Sequence, residues 1–385
     1  MNKKTITMYV FIGTLLMLFL GIVYSYSMFR LEIEAVYNVH SVSSAIPYMT
    51  VLFFYSLFMA IGGILYSRYN TLIIGISGVV FISLGFFLAA ISHSIFTISL
   101  TYGVLVGTGI GLLYGLPLRV VSILGHKKVG ILTGITLVGF GLSPLIFAPF
   151  IGKLLDSFGL SKTFIILAVG YLILTLPIVW TLSKHDTMPK IREKLSYPVL
   201  KNKQFYMVYF LFFIVTFIGL TYIGFTGNIG EELIGLKNVA FFISIFAIFN
   251  GVGRPLFGYI NDKIGFKKAS IISFISILFA SLLHYFIPNN ILVFTVTFIV
   301  FYLNFGGWLA LAPSATISLF EKEDFSKNYG LMFTAYGVGA IFGNLSSGYI
   351  AEVFELRSVF LLMSVLAVIG IMTVYFSFIR KKVLL

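Results

Sequence analysis

The sequence predicts an all-α membrane protein of twelve transmembrane helices in two six-helix halves, each half made of two inverted three-helix repeats. Three observations carry that prediction. The 385 residues are 59% hydrophobic and only 10% charged, whereas a soluble domain carries roughly 25% charge. Apolar runs of about 20 residues, the length that spans hydrocarbon, recur along the whole chain. One short pattern of a glycine and an acid returns at regular steps.

Taken in order, the spans are read at 5–29, 43–66, 72–92, 95–119, 128–152, 161–183, 205–227, 238–261, 268–287, 291–319, 328–351 and 357–379. Lys3 and Lys4 before an apolar run resemble a secretion signal, but the run to Phe29 is too long for one and lacks a small-residue cleavage site, so it is read as a retained first helix. The longest polar segment, Lys184–Lys203, carries six Lys/Arg and two prolines. It divides the chain into an N-terminal half, 1–183, a cytoplasmic linker, 184–204, and a C-terminal half, 205–385.

The net charge of +13 invites a nucleic-acid reading until the charges are placed. With the N-terminus in the cytoplasm, twenty Lys/Arg fall inside, in clusters such as Lys127–Lys128, Lys190–Lys203, Lys263–Lys268 and Arg380–Lys382. Five fall outside: Arg30, Lys153, Lys162, Lys237 and Arg357. That asymmetry follows the positive-inside rule. It expects both termini in the cytoplasm, a multi-pass protein of the plasma membrane, and a lipid bilayer rather than nucleic acid as the partner of the basic surface.

The repeats lie at the ends of four spans. Span two ends Gly63-Ile-Leu-Tyr-Ser67-Arg68. Span five ends Gly152-Lys-Leu-Leu-Asp156, span eight Gly258-Tyr-Ile-Asn-Asp262-Lys263, and span eleven Gly348-Tyr-Ile-Ala-Glu352. A glycine is followed four residues on by an acid, lost to Ser67 in the first copy. The steps are 89 and 90 residues within the halves and 195 to 196 between them. Alternate copies face opposite sides, which is the trace of inverted repeats. The glycine permits close helix approach, and the acid can meet the N-terminus of a neighbouring helix.

Arg254 is the remaining cation, inside the apolar stretch Phe241–Lys268. A charge at membrane depth is costly and marks a functional site by default. It stands eight residues from Asp262, roughly 12 Å at about 1.5 Å per residue, too deep for easy snorkelling. All thirteen acids lie in loops or at span ends, which favours a fixed cation for an anionic substrate over an arginine held by carbonyls. A guanidinium can grip a carboxylate through two parallel bonds. Asn250, one helical turn earlier, shares its face and is placed to bond substrate, to hold the guanidinium, or to join helices. Tyr24 in Tyr24-Ser-Tyr26 fits an interfacial aromatic belt as well as a site. Tyr114 follows the glycines of Gly107-Thr-Gly109-Ile-Gly111. Asn304-Phe305-Gly306-Gly307-Trp308 and Tyr336 add polar and aromatic groups in spans ten and eleven.

No phosphate-binding loop, HExxH motif, paired carboxylates or cysteine occurs, and the five histidines show no ligand spacing. Nothing here supports an enzyme, a cofactor or a metal site.

On these residues the chain resembles the oxalate/formate antiporter and monocarboxylate transporter branch of the major facilitator superfamily. The resemblance rests on Gly21-x-x-Tyr24-Ser25, Gly-Ile-Gly-x-x-Tyr114-Gly115, and above all Phe249-Asn250-Gly-x-x-Arg254-Pro255-x-x-Gly258 with Asp262-Lys263-x-Gly265. Gly306-Gly307 through Pro313-Ser314, and Asn328-Tyr329-Gly330 leading to Phe342-Gly343, extend it over nearly the full length. It implies the major facilitator fold, a carboxylate on Arg254 and a central cavity faced by Tyr24 and Tyr114. Oxalate carriers look to have a second cation where this chain has Tyr336, so a monocarboxylate is favoured here. Animal monocarboxylate carriers place an acid where this chain has Asn250 and a lysine in span one, so their proton pathway does not carry over directly.

The expectation is therefore a secondary transporter of a small monocarboxylate such as lactate, pyruvate or formate, working by alternating access with or without a coupled proton. Arg254 holds the carboxylate. Tyr24, Tyr114, Asn250, Asn304 and Tyr336 complete the site, and Phe305 and Trp308 wall it. Gly152, Asp156, Gly258, Asp262 and Lys263 serve the structural motif. Anion exchange of the oxalate/formate type and efflux of an apolar compound are the alternatives. A membrane sensor, which would bind ligand without moving it, lacks a soluble relay domain. The fold supports a monomer.

Overall fold

The structure is a computed structural model. It describes residues 3–39, 41–44, 46–124, 129–186, 197–230, 234–235, 239–321 and 323–379. Three of the six linker cations, Lys190, Arg192 and Lys194, together with Lys127, Lys128, Lys237, Lys322 and the C-terminal basic cluster, lie outside those residues, as do the side-chain surroundings of Gly348 and Glu352.

The described chain is a succession of long helices: α1 (Lys3–Leu20), α2 (Tyr26–Tyr37), α3 (Ile46–Arg68), α4 (Thr71–Ala90), α5 (Gly107–Leu124), α6 (Val129–Ser183), α7 (Lys203–Asn228), α8 (Val239–Phe286), α9 (Ile291–Leu319), α10 (Phe325–Val353) and α11 (Ser358–Ile379). A 3-10 turn, Gly21–Ser25, joins α1 to α2, and a π-helical stretch, Ser99–Val106, leads into α5. Among the described residues nine helices are long and apolar enough to cross a membrane. Two of them are double. α6 turns at Gly159 (φ 71°) and α8 at Gly265 (φ 79°), in left-handed conformations that glycine adopts without a Cβ clash. Each double helix therefore carries two of the expected spans. The 29-residue α10 is the twelfth.

Most of these helices are apolar on every side, as helices surrounded by lipid and by other helices must be. Side chains such as Phe279 and Leu345 remain exposed on the outer faces, where hydrocarbon rather than water is the solvent.

The chain divides into two compact units. The first comprises Met1–His126, Ile135–Ser196 and Thr316–Gly337. There the alternating glycines of α5 sort by face. A Cβ on Gly107 or Gly111 would meet the Val51 or Tyr55 carbonyl of α3, and one on Gly109 would meet the Gly78 carbonyl of α4. Steps of four put Gly107 and Gly111 on one side, and the step of two turns Gly109 to the other. Close backbone approach of this kind drives helix association in lipid, where no hydrophobic gain is available.

The second unit comprises Lys127–Gly134, Tyr197–Ala315 and Val338–Leu385. Its centre is the seam between the first arm of α8 and α9. Gly253 lies against the Leu303 carbonyl, and Gly306 against the Asn250 carbonyl. With no side chain between them, the backbones of the two helices touch at the level of Asn250 and Arg254.

Candidate functional site

Arg254 is fully buried in the first arm of α8. Its Nη2 and Nε donate to Asn250 Oδ1 at 3.0 and 3.3 Å. The pair is an i to i+4 contact along one helix face. It fixes the guanidinium plane, so the remaining N–H donors point in set directions, which suits recognition of a planar anion. Pro255 follows and supplies no N–H to the carbonyl one turn back. The Arg254 carbonyl lies against Gly134 of α6, where a Cβ would clash. The backbone carrying the cation is thus gripped on two sides by glycine contacts.

One turn beyond, Gly258 packs on the Gly130 carbonyl. The Asp262 carboxylate accepts the backbone N–H groups of Gly130 and Ile131 at 3.0 and 2.9 Å. These belong to the first turn of α6, whose N–H groups have no partner within their own helix, and the carboxylate also meets the positive end of the helix dipole. Lys263 is exposed, its amine 5.7 Å from the Tyr259 ring centre. Asp156 is exposed at the far end of the first arm of α6, just before the turn at Gly159, and a Cβ on Gly152 would lie 3.2 Å from Met28 Cε.

In the first unit, Tyr24, Tyr114 and Tyr336 meet in one aromatic cluster. The Tyr24 and Tyr336 hydroxyls are 2.9 Å apart, and Tyr24 stands edge-on to Phe140. Tyr114 and Tyr336 are fully buried and Tyr24 is half-buried. At the centre is Tyr55 of α3, whose ring lies 5.3 Å from Tyr114, 5.7 Å from Tyr336 and 5.1 Å from Phe333.

The sequence model of the Major Facilitator Superfamily matches residues 10–317 and 228–383. The chain belongs to the Major Facilitator Superfamily. A superfamily relative, the oxalate:formate antiporter of Oxalobacter formigenes, is 27% identical over 277 residues, covering 69% of this chain and 66% of its own length. Monocarboxylate transporter 12 of Xenopus laevis is 25% identical over 315 residues, with coverages of 72% and 67%. Among solved structures, the proton:xylose symporter XylE superimposes with a TM-score of 0.77 at 13% identity, covering 97% of this chain and 96% of that one. The chain is thus a multi-pass membrane protein with the major facilitator fold, in a family of transporters.

Within that fold the span-ten residues are divided. Asn304 Nδ2 donates to Ser276 Oγ at 2.9 Å and to the Val300 carbonyl at 2.8 Å. Trp308 Nε1 donates to Ser273 Oγ at 2.8 Å. Both side chains therefore turn to the second arm of α8, whereas Gly306, between them, turns to the Arg254 arm. Phe305 packs on Gly219 and Tyr222 of α7. Arg254 and Asn250 are brought together, the three tyrosines are brought together, Asn304 and Trp308 share the seam of α9 with the second arm of α8, and Phe305 lies in the seam with α7.

Sequence reasoning passed over Tyr55, Arg119 and Asp186. Arg119, counted among the cytoplasmic cations, is fully buried at the end of α5 and pairs with Asp186 at 2.8 Å. The signal available was that Arg119 interrupts the apolar run Leu118–Leu124 inside a helix.

Proposed function

We propose that this chain is a secondary transporter of a small monocarboxylate, of the lactate, pyruvate or formate kind, working by alternating access in the plasma membrane with both termini in the cytoplasm. The observation that carries the reading is Arg254: a fully buried guanidinium at membrane depth, oriented by a neutral side chain, Asn250, rather than by a carboxylate from its own helix turn. Two superfamily relatives are named for anions of this chemistry, an oxalate:formate antiporter and a monocarboxylate transporter. Tyr336, where the resemblance places a second cation in oxalate carriers, carries no charge and bonds Tyr24. One fixed charge matches one carboxylate.

Under this reading Arg254 holds the carboxylate and Asn250 sets its plane. Tyr24, Tyr114 and Tyr336 contribute hydroxyls, while Asn304, Phe305 and Trp308 shape the α9 side of the second unit. The gripped backbone around Gly134, Gly253 and Gly306 keeps the cation in register. Domains 1–183 and 205–385, joined by 184–204, are the rocking halves, and the working unit is a monomer. A proton is carried by the substrate itself where uptake is proton-coupled.

The test is uptake of labelled lactate, formate and oxalate into proteoliposomes, with and without an imposed proton gradient. Arg254→Lys keeps the charge and loses the planar fork, so lactate and formate uptake is expected to fall about tenfold in kcat/KM, the scale of one charged hydrogen bond. Equal uptake by both proteins would make Arg254 structural. Uptake of oxalate above that of the monocarboxylates would favour the exchanger reading.

A further inference from the structure

A side chain of α3 enters the hydrogen-bond ladder of α10 beside Tyr336. In an α-helix the Gly337 N–H faces the Phe333 carbonyl, four residues back. Ser56 of α3 reaches both groups: its Oγ donates to the Phe333 carbonyl at 3.0 Å and accepts the Gly337 N–H at 3.1 Å. A hydroxyl has one proton to give and lone pairs to receive, so Ser56 meets an acceptor and a donor at once. Other hydroxyls in these helices bond the carbonyl one turn back in their own helix, as Thr50 bonds Ile46 and Ser77 bonds Ile73. Ser56 is buried, and its proton goes to another helix.

Gly337 makes the approach possible. A Cβ there would lie 2.7 Å from Ser56 Oγ and 2.8 Å from Ser56 Cβ, so a side chain at this position would displace the hydroxyl. The rung from Phe333 to Gly337 brackets Tyr336. The Tyr336 ring stacks on Phe333 at 4.9 Å, and Tyr55, next to Ser56 in α3, packs 5.1 Å from Phe333 and 5.7 Å from Tyr336. α3 thus holds one stretch of α10 twice, the backbone through Ser56 and the rings through Tyr55. At the far end of its ring, the Tyr336 hydroxyl meets that of Tyr24 at 2.9 Å. All of these residues lie in the first unit. A side chain inserted into a ladder bends a helix at a fixed point, and a shift of about 1 Å takes a bond such as the Tyr24–Tyr336 contact out of range.

We propose that Ser56 is a positioning residue: by spanning the Phe333–Gly337 rung it sets the backbone under Tyr336 and so places the Tyr336 hydroxyl on Tyr24. Ser56 acts through Tyr336 and touches no substrate itself. Its bearing on transport rests on the reading that the tyrosine hydroxyls meet substrate, whereas the placement of Tyr336 does not. Removing the Ser56 hydroxyl leaves the Phe333 carbonyl and the Gly337 N–H to bond each other, so α10 keeps its rung and loses the set position of Tyr336.

The placement is tested by the melting temperatures of the purified full chain carrying Tyr24→Phe, Ser56→Ala or both. Tyr24→Phe removes the partner of the Tyr336 hydroxyl and is expected to lower the melting temperature by about two degrees. Ser56→Ala is expected to lower it by a similar amount, and the double variant no further, because both changes break the same contact. Additive losses overturn the proposal. Uptake of labelled formate and lactate into proteoliposomes reads the consequence: Ser56→Ala is expected to raise KM about fivefold, the scale of one neutral hydrogen bond, with kcat near wild type. An unchanged KM, or a loss in kcat alone, overturns the bearing on substrate. Absence of uptake by wild type would count against the monocarboxylate reading instead, and the melting temperatures would still decide whether Ser56 places Tyr336.

Discussion

Asn250→Asp separates a substrate-binding Arg254 from a structural one, because the two roles respond in opposite directions. In the structure Asn250 Oδ1 sits 3.0 Å from Arg254 Nη2 and 3.3 Å from Nε. Aspartate is nearly isosteric and would put a carboxylate oxygen at the same place. At about 4 Å between charge centres and an effective dielectric of about 20, the attraction is about 4 kcal/mol. A substrate carboxylate must compete with that fixed anion, so an increase in KM of at least a hundredfold is expected at neutral pH. The melting temperature should hold or rise, because the neutral partner of the buried cation becomes an anionic one. Uptake of labelled formate and lactate in proteoliposomes, with thermal unfolding of the same preparation, measures both. Retained uptake with a higher melting temperature would refute the reasoning and show that Arg254 serves packing.

The remaining predictions address the elements around that pair. Tyr336→Lys restores a second cation at the position where oxalate carriers are expected to have one; oxalate uptake should become detectable and formate uptake should fall, and a variant as blind to oxalate as wild type counts against the one-charge argument. Asp262→Asn keeps the side-chain shape but weakens the cap on Gly130 and Ile131, with an expected loss of about 1 kcal/mol, read as a melting temperature lowered by a few degrees and a slower transport rate at unchanged KM. Gly306→Ala places a methyl group on the Asn250 carbonyl; overpacking of this kind costs about 1–3 kcal/mol, and the shifted Asn250 should raise KM as well as lower the melting temperature.

Much of the architecture was legible because membrane spans announce themselves by length and apolarity. Arg254 was legible for the same reason, since a lone cation in such a run has no cheap explanation. The glycine at each tight helix turn was visible, but its effect was not: 153–160 and 262–267 read as loops, whereas the chain reverses at Gly159 and Gly265 while helical turns continue up to them. The facing of Asn304 and Trp308 could not be read at all. A helix apolar all round has no hydrophobic stripe to orient it, so nothing local says that both turn to Ser276 and Ser273 while Gly306 turns to Asn250. Tyr55 was lost among 22 tyrosines. Arg119 and Asp186 were assigned to the solvated ends of spans, because a partner 67 residues away leaves no trace in a local pattern.

The central claim is that the Arg254 guanidinium holds the substrate carboxylate. Equilibrium binding of labelled lactate to the purified full chain tests it most directly, with Arg254→Gln beside wild type and lactamide as the uncharged competitor. Saturable binding by wild type, untouched by lactamide and lost in Arg254→Gln with its fold intact, is the predicted result. Equal dissociation constants for the two proteins, or full competition by lactamide, would contradict it.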